Sequence, residues 1–279
     1  MKFTKMHGLG NDFIIIYRNQ TPNLEEISRL AVQMCNRHTG VGADGLAVVY
    51  PSETADVAMR IFNADGSLTE QCGNVMRCVA KYYYERISAL RDEFTIETKV
   101  GVQTVWVESH HGKAERIRVD MGEPILEPSR IPVAVAGEPA VNRPIEAGGE
   151  QFRFTGVSMG NPHAVIEVED ASAFPVEKWG PLLEKHELFP NKANVEFVTF
   201  HSAEEVTMRV WERGVGQTMA CGSGACATLV AGVLLGKCAR RAMIHLLGGD
   251  LEIEWSEQNN RVYMSGPASF VYDGVWLSA

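Results

Sequence analysis

Hydrophobic and polar positions along the chain follow two periods, which predict both strands and helices. Residues 13–17 form a β-branched apolar run after a glycine-rich turn, as buried strands do. Residues 24–36 place apolar side chains at helical spacing, and the pattern becomes helical again over residues 73–86. Residues 94–108 and 113–121 alternate in the manner of antiparallel strands. The pattern therefore predicts a mixed α/β (α+β) chain.

The pattern also repeats once. Cys72 opens the segment Cys-Gly-Asn-Val-Met-Arg-Cys, and Cys221 opens Cys-Gly-Ser-Gly-Ala-Cys at an offset of 149 residues. Gly10-Asn11 is echoed by Gly160-Asn161 at an offset of 150. A helix is predicted behind each cysteine, with strands around it. We therefore predict two pseudo-symmetric domains, each a curled, mostly antiparallel sheet or barrel around a central helix.

The repeat sets the predicted domain boundaries. Residues 122–266 form the C-terminal half, which carries Cys221. A turn at Gly266-Pro267 is predicted to return the chain, so residues 1–121 and 267–279 form the N-terminal half with Cys72.

Composition narrows the classes of function. The charged fraction of 22% and the hydrophobic fraction of 45% are ordinary for a globular protein, and the net charge of −9 argues against nucleic acid. The N-terminal residues lack the apolar region of a signal peptide. The most apolar stretch, residues 225–235, is shorter than the about 20 residues that cross a bilayer. We expect a cytoplasmic protein without a membrane partner.

The six cysteines are expected to be thiols, because cytosolic proteins rarely hold disulfides. No Cys-x-x-Cys motif occurs and the histidines are scattered, which argues against a metal site. No pyridoxal motif is visible either, so no cofactor is expected.

Cys72 and Cys221 each precede a glycine and a helix start. Free backbone N–H groups converge there and the helix dipole is positive, which predicts a lowered thiol pKa and a site for a carboxylate. Two such thiols predict a two-base inversion, in which one thiolate removes an α-proton and the other thiol delivers one. Two alternatives stay open: a buried packing cysteine at each position, or a redox disulfide between Cys72 and Cys221.

Several polar residues have both a structural and a functional interpretation. Four asparagines lie beside glycine or turn sequence and are either turn residues or ligand contacts: Asn11, Asn63, Asn161 and Asn194. Glu212-Arg213 is either an exposed ion pair or a carboxylate-binding site. His163 is either a core histidine or a group that takes a proton from a thiol.

Seven segments in order resemble the signatures of the diaminopimelate epimerase family: residues 5–13, 62–67, 72–74, 159–163, 194–197, 211–214 and 220–226. The resemblance spans nearly the whole chain. It implies two pseudo-symmetric barrels and a cofactor-independent isomerase that interconverts LL- and meso-2,6-diaminopimelate in lysine and peptidoglycan synthesis.

The resemblance also assigns roles to residues. Cys72 and Cys221 match the two acid/base thiols, and His163 and Glu212 match the groups that assist them. The reacting α-carboxylate is matched by Gly73-Asn74 and Gly222-Ser223. The remaining substrate-binding residues, largely for the distal end, are Asn11, Asn63, Asn161, Asn194 and Arg213, with Glu212 counted here as well.

The chain departs from the family pattern at three places. Val75-Met76 replace a glycine and its neighbour, Gln217 stands where glutamate is common, and Gly45 stands where some members have a substrate-contacting glutamine. These departures give the first alternative, a racemase of another amino acid, of the histidine or proline type. The cysteine pair alone gives the second, a dithiol redox protein. The partner is expected to be a small-molecule amino-acid substrate, with no nucleic-acid or membrane partner. The oligomeric state is left open, with a homodimer as one candidate.

Overall fold

The computed structural model describes residues 1–69, 73–88, 91–135 and 139–277. Over these residues the strands are β1 (Lys2–Gly8), β2 (Asn11–Tyr17), β3 (Gly45–Tyr50), β4 (Val57–Asn63), β5 (Leu68–Thr69), β6 (Glu93–Thr98), β7 (Gly101–His110), β8 (Lys113–Asp120), β9 (Arg143–Ala147), β10 (Glu150–Ser158), β11 (Pro162–Glu167), β12 (Asn194–Ser202), β13 (Glu205–Glu212), β14 (Gly216–Gln217), β15 (Arg241–Leu246), β16 (Gly249–Trp255), β17 (Val262–Gly266) and β18 (Ser269–Val275). The α-helices over the same residues are α1 (Leu24–Cys35), α2 (Gly73–Arg86), α3 (Val176–Glu184) and α4 (Gly222–Leu234). The mixed fold class predicted from the sequence is confirmed.

The chain divides into two compact units. Unit 1 comprises Met1–Asp120 and Ser265–Ala279, and unit 2 comprises Met121–Met264. In unit 1, β2 pairs in parallel with β3, β3 antiparallel with β4, and β4 in parallel with β6. In unit 2, β11, β12, β13 and β15 pair in the same three ways. Each unit therefore builds its sheet with the same connections.

The register of these pairs matches the sequence repeat. Phe13 is paired with Gly45 in unit 1, and His163 is paired with Asn194 in unit 2. Position 163 lies 150 residues after 13, and position 194 lies 149 residues after 45. The change of offset seen in the sequence thus falls between the two strands of the parallel pair.

One helix in each unit is enclosed by its sheet. Helix α2 packs against β1, β2, β3, β7 and β8, and α4 packs against β10–β13, β15 and β16. Nearly all of α4 is buried, as expected from its apolar sequence. Helices α1 and α3 instead bury one face each. In α1 this face includes Ile27, Ala31 and Met34. Each central helix begins directly behind one cysteine, and its first turn forms part of the interior.

In the described part of the chain, every helix is too short or too polar to cross a membrane.

Candidate active site

Cys221 occupies the N-cap position of α4. Its backbone is extended, with φ −121° and ψ 109°, and its carbonyl oxygen accepts a hydrogen bond from Ala225 N at 3.0 Å. The sulfur lies 3.6 Å from the hydroxyl oxygen of Ser223. The first turn of a helix leaves backbone N–H groups without intrahelical partners, and the dipole is positive there. Cys221, Gly222 and Ser223 therefore lie together where an anion is stabilised.

The thiol of Cys221 is buried, with 5% of the residue exposed. Burial raises the pKa of this thiol well above its ordinary value, and the charges of Glu212 and Glu196 raise it further. Hydrogen bonds from Ser223 and the Gly224 N–H lower the pKa by less. The predicted lowering is therefore wrong for Cys221, because lost hydration and two carboxylates outweigh the helix terminus. At neutral pH Cys221 is a thiol, which can donate a proton.

Three side chains of unit 2 form a hydrogen-bonded chain. Nδ1 of His163 lies 2.7 Å from Oε1 of Glu196, and Nε2 lies 2.9 Å from Oδ1 of Asn161. His163 and Glu196 are fully buried. Two oxygen atoms, Glu196 Oε1 and Asn161 Oδ1, face the ring, and a neutral histidine can donate to only one of them, so the tautomer of His163 and the orientation of the Asn161 amide are set together. His163 is thus held at both ring nitrogens by polar partners.

Gly224 allows Glu196 to approach the first turn of α4. A Cβ atom at position 224 would lie 2.7 Å from Oε1 of Glu196 and 3.3 Å from Sγ of Cys221. Real Cβ contacts are longer than the first of these distances, so a side chain there would displace the carboxylate. The other carboxylate oxygen, Oε2, has no hydrogen-bond partner among the residues that the structure describes. Glu196 therefore brings a buried carboxylate to the helix turn that carries Cys221.

Glu212 and Arg213 lie at the turn between β13 and β14. Asn194 supports this turn, because its Oδ1 accepts a hydrogen bond from Arg213 N at 2.9 Å. The amide nitrogen of Asn194 donates to Pro162 O at 2.9 Å. The guanidinium of Arg213 is exposed and donates to Asn191 O at 3.1 Å. The structure thus brings three predicted residues of unit 2 together.

In unit 1, Asn11 and Asn74 form a pair of amides. Asn74 Nδ2 donates to Asn11 Oδ1 at 3.1 Å, and Asn11 Nδ2 donates to Asp44 Oδ2 at 2.6 Å. Arg77 is fully buried, and its Nη2 donates to Asn74 Oδ1 at 3.0 Å. Its Nη1 donates to the carbonyl oxygen of Gly73 at 3.4 Å. The predicted residues Asn11, Gly73 and Asn74 therefore share one network at the start of α2.

Asn63 lies at the end of β4 and hydrogen-bonds within its own turn. Its Nδ2 donates to Ser67 Oγ at 2.9 Å, and its carbonyl oxygen accepts from Gly66 N at 2.9 Å. These are the bonds of a turn residue, and Asn63 is exposed. Cys72 lies outside the described residues, so the place of its thiol stays a prediction.

Asn11 contacts a cluster of charged side chains through Asp44. Asp12 lies 2.6 Å from Lys5 Nζ and 2.7 Å from Arg37 Nη2, and Arg37 also lies 2.8 Å from Asp44. Burial alone would raise the pKa of Asp12, but hydrogen bonds from Arg37 and Lys5 hold it well below its ordinary value. The cluster fixes Asp44, to which the amide of Asn11 donates.

The sequence analysis did not single out Glu196 or Asp44. Glu196 is the one charged residue in the apolar run of residues 195–198, and a charge in a strand that is buried on both faces needs a partner. The sequence therefore contained a signal that could have identified Glu196. Asp44 sits in glycine-rich turn sequence, and nothing in the sequence distinguishes it from a turn aspartate. Within the described ranges, no group of three or more His, Cys, Asp or Glu side chains is arranged to hold a metal ion.

Comparison with known proteins identifies the family. The diaminopimelate epimerase family profile matches residues 3–127 and 155–271. The chain belongs to the diaminopimelate epimerase family. It is 54% identical to a diaminopimelate epimerase of Pelotomaculum thermopropionicum over 277 residues, covering 99% of both chains. It is 49% identical to one of Methanococcus maripaludis over 276 residues, covering 98% of this chain and 99% of the relative. The predicted family and its isomerase class are confirmed.

Solved structures show that the fold is shared more widely. A hydroxyproline epimerase from Agrobacterium vitis superposes with a TM-score of 0.73 at 15% identity, covering 98% of this chain and 90% of that one. A PhzF-family phenazine biosynthesis protein from Bacillus anthracis superposes with a TM-score of 0.70 at 16% identity, covering 99% of both. At these identities the similarity concerns the fold alone, and it confirms the predicted two-domain architecture.

Proposed function

We propose that the protein interconverts LL- and meso-2,6-diaminopimelate without a cofactor, by a two-base mechanism that uses Cys72 and Cys221. The reaction would serve lysine and peptidoglycan synthesis. The family membership supports the substrate, and the position of Cys221 supports the chemistry.

The observation that carries the mechanism is the buried thiol at the N-cap of α4. An amino acid's α-carboxylate bound to the backbone N–H groups of Gly222 and Ser223 would hold its α-carbon next to the sulfur. Helix α2 begins at Gly73, 149 residues before Gly222, and Cys72 immediately precedes it. The repeat thus offers a second thiol in an equivalent sequence position.

The proton count of the reaction is balanced by the two sulfurs. One thiolate takes the α-hydrogen as a proton, and the electron pair of the broken C–H bond stays on the substrate as a carbanion. The opposite thiol gives its proton to the other face of that carbon and becomes a thiolate. One turnover therefore inverts the carbon and exchanges the protonation states of Cys72 and Cys221. Because the pKa of Cys221 is raised, Cys221 would hold the proton at the start and act first as the donor.

The other predicted residues divide between the ends of the substrate. Gly73 and Asn74 would assist in holding the reacting carboxylate, while His163 and Glu212 would assist the thiols. The distal amino acid end would be bound by Asn11, Asn63, Asn161, Asn194 and Arg213, with Glu212 as a further contact. The exposed guanidinium of Arg213 provides the fork that a second carboxylate needs.

Deuterium exchange tests this proposal. The reduced enzyme is incubated in D2O with LL-diaminopimelate, and with proline and histidine as alternative substrates. We expect α-deuteration and the meso product from diaminopimelate alone, with no added pyridoxal phosphate or metal. Exchange of proline or histidine instead would favour the racemase alternative. Absence of exchange with all three, together with a reversible Cys72–Cys221 disulfide, would favour the redox alternative.

We also propose a cytoplasmic location and an amino acid as the ligand, with no nucleic-acid or membrane partner. The acidic net charge supports the exclusion of nucleic acid. A homodimer remains a candidate assembly, which sedimentation of the purified protein would test.

A further inference from the structure

Glu196 is a buried carboxylate to which the mechanism above gives no role. It is fully buried, one of its oxygens faces Nδ1 of His163 at 2.7 Å, and the other oxygen has no hydrogen-bond partner within the described residues. Taking a carboxylate out of water is costly, and one hydrogen bond compensates only part of that cost. The position therefore needs an explanation beyond packing.

Unit 1 shows that the fold itself does not need this charge. The residue 149 positions before Glu196 is Ala47, and the residue 149 positions before Gly224 is Val75. Ala47 and Val75 are fully buried, in the corresponding strand and the corresponding first helix turn. In unit 1 the small Ala47 of the strand lies at the position that corresponds to Glu196, and the branched Val75 of the helix corresponds to Gly224. Unit 2 thus has the larger residue in the strand and the smaller one in the helix.

The histidine differs between the units in the same way. His163 follows Phe13 by 150 positions, and both residues begin the parallel pairing of their strands. Unit 1 therefore has an apolar Phe13 and Ala47 where unit 2 has His163 and Glu196. Both polar residues, and the glycine that makes room for the carboxylate, occur in unit 2 alone.

We propose that Glu196 is a positioning residue for the reaction: through Nδ1 it fixes the tautomer and orientation of His163, and through Nε2 the orientation of the Asn161 amide. The inference rests on the proposed function, in which His163 assists a thiol and Asn161 binds the substrate. The geometry supports two contacts in series, from carboxylate to imidazole and from imidazole to amide. With the hydrogen on Nδ1, a neutral ring accepts at Nε2, so the Asn161 amide presents its NH2 group there and directs its oxygen away. The carboxylate stabilises a hydrogen on Nδ1, and the position of that hydrogen determines what Nε2 presents to its neighbours.

The first measurement uses the wild-type enzyme. In 15N-labelled protein, two-bond couplings between ring nitrogens and ring hydrogens report which nitrogen carries hydrogen, and the His163→Gln variant assigns the signal. We expect the Nδ1 atom of His163 to carry a hydrogen, as its contact with Glu196 Oε1 requires. A neutral ring that carries its hydrogen on Nε2 alone would overturn the proposal, since Nδ1 could then donate nothing to Glu196.

The second measurement uses Glu196→Gln, which keeps the size of the side chain but removes its charge. The matched control is Glu85→Gln, because Glu85 also accepts hydrogen bonds, from Lys81 Nζ at 2.7 Å and Ala114 N at 2.8 Å, and neither partner is a site residue. We expect Glu196→Gln to change the hydrogen distribution on His163 and to lower kcat by about 10–100-fold, by analogy with the loss of the partner behind a metal-binding histidine. Glu85→Gln should leave the His163 signal unchanged and kcat within about twofold.

The outcomes separate this inference from the proposed function. Wild-type kcat and an unchanged His163 signal in Glu196→Gln would overturn the positioning role while the epimerase stands. A wild-type protein inactive on diaminopimelate would contradict the proposed function, and the NMR measurement would still test the Glu196–His163 contact. If Glu196→Gln does not fold, the wild-type measurement alone decides whether Nδ1 donates.

Discussion

The two units share one strand register but place charged side chains at different points of it. In unit 1, Asp12 and Asp44 lie at the start of the parallel pair, where unit 2 has Pro162 and Ala193 at offsets of 150 and 149. In unit 2 the buried Glu196 lies two positions further along its strand than Asn194, where the pairing begins, and it contacts the first turn of α4. The repeated backbone therefore carries two different electrostatic arrangements.

The difference separates two uses of charge. The unit 1 carboxylates are matched by cations, and their hydrogen bonds hold the pKa of Asp12 far below its ordinary value, which stabilises the folded state. The unit 2 carboxylates Glu196 and Glu212 raise the pKa of Cys221. These carboxylates keep the neighbouring thiol of Cys221 protonated, so it can donate a proton, whereas the carboxylates of unit 1 form ion pairs. Under the proposed mechanism, the same strand arrangement therefore supports stability in unit 1 and a proton donor in unit 2.

The largest effect is expected for the two cysteines. A hydroxyl is a much weaker acid than a thiol, so Cys72→Ser and Cys221→Ser should each lower epimerisation by at least about 10²–10⁴-fold. Because the two thiols act as a unit, the double variant should be little worse than either single one. Conversion of LL- to meso-diaminopimelate measures the loss.

Cys238→Ser is the control for that series, since Cys238 is a partly exposed thiol outside the candidate site. It should retain wild-type turnover. Near-native turnover in Cys72→Ser or Cys221→Ser would show that the repeat preserves packing cysteines. It would contradict the two-base mechanism.

The next largest effect is expected on the stability of unit 1. Asp12→Asn leaves Lys5, which is 6% exposed, without its main charged partner. Breaking a buried ion pair from one side costs about 3–5 kcal/mol, and we expect the lower end, about 3 kcal/mol, because Asp12 retains 18% exposure. The free energy of unfolding in urea measures it. Asp250→Asn, at an exposed carboxylate of unit 2, should cost less than about 1 kcal/mol.

The Asp12 effect should depend on pH in one direction. The folded-state pKa of Asp12 is lowered, so its stabilising contribution is complete above the unfolded value of about 3.9 and declines as the pH falls below it. The difference in unfolding free energy between wild type and Asp12→Asn should therefore be smaller at pH 3 than at pH 7. An equal or larger difference at pH 3 would contradict the ionic account of unit 1.

The smallest effect is expected for the thiol of Cys221 in Glu212→Gln. Removing this carboxylate lowers the pKa of Cys221, so more thiolate is present at a given pH. A change of one pKa unit corresponds to about tenfold in alkylation rate at pH 8. Iodoacetamide labelling, followed by mass spectrometry of the Cys221 peptide across pH 7–10, measures the shift.

Glu205→Gln serves as the control for this labelling, because Glu205 is an exposed carboxylate of unit 2 that contacts His245. It should leave the pH profile of Cys221 unchanged. A Glu212→Gln profile that moved to higher pH would mean that Glu212 stabilises the thiolate, which contradicts a Glu212 charge that raises the pKa of Cys221.

Local patterns in the sequence were sufficient for much of the fold. The helical spacing of apolar residues over 24–36 predicted α1, whose buried face includes Ile27, Ala31 and Met34. The helix starts after the two cysteines were predicted from the sequence change at Gly73 and after Cys221. These signals are local, because hydrophobic period and helix-start residues act within one element.

The electrostatics of the site were less predictable. The sequence shows that Cys221 precedes a helix, but its pKa depends on burial and on Glu196 and Glu212, which lie 25 and 9 residues away along the chain. The opposing carboxylates only become neighbours when β12, β13 and α4 are assembled. The helix-terminus rule alone therefore gave the wrong direction of the pKa shift.

The return of the chain to unit 1 has a consequence for synthesis on the ribosome. Strand β18 pairs with β1, from Lys2 opposite Val275 to His7 opposite Ser269. The first part of unit 1 ends at Asp120, and more than 140 further residues are made before β18. One edge of β1 therefore lacks its partner strand until late in synthesis. Unit 2 is a continuous segment, all of which is made before β18. We therefore expect the order of folding to be the reverse of the order of translation, with β1 exposing an unpaired edge, the kind of edge on which chaperones and aggregation act, until β18 arrives.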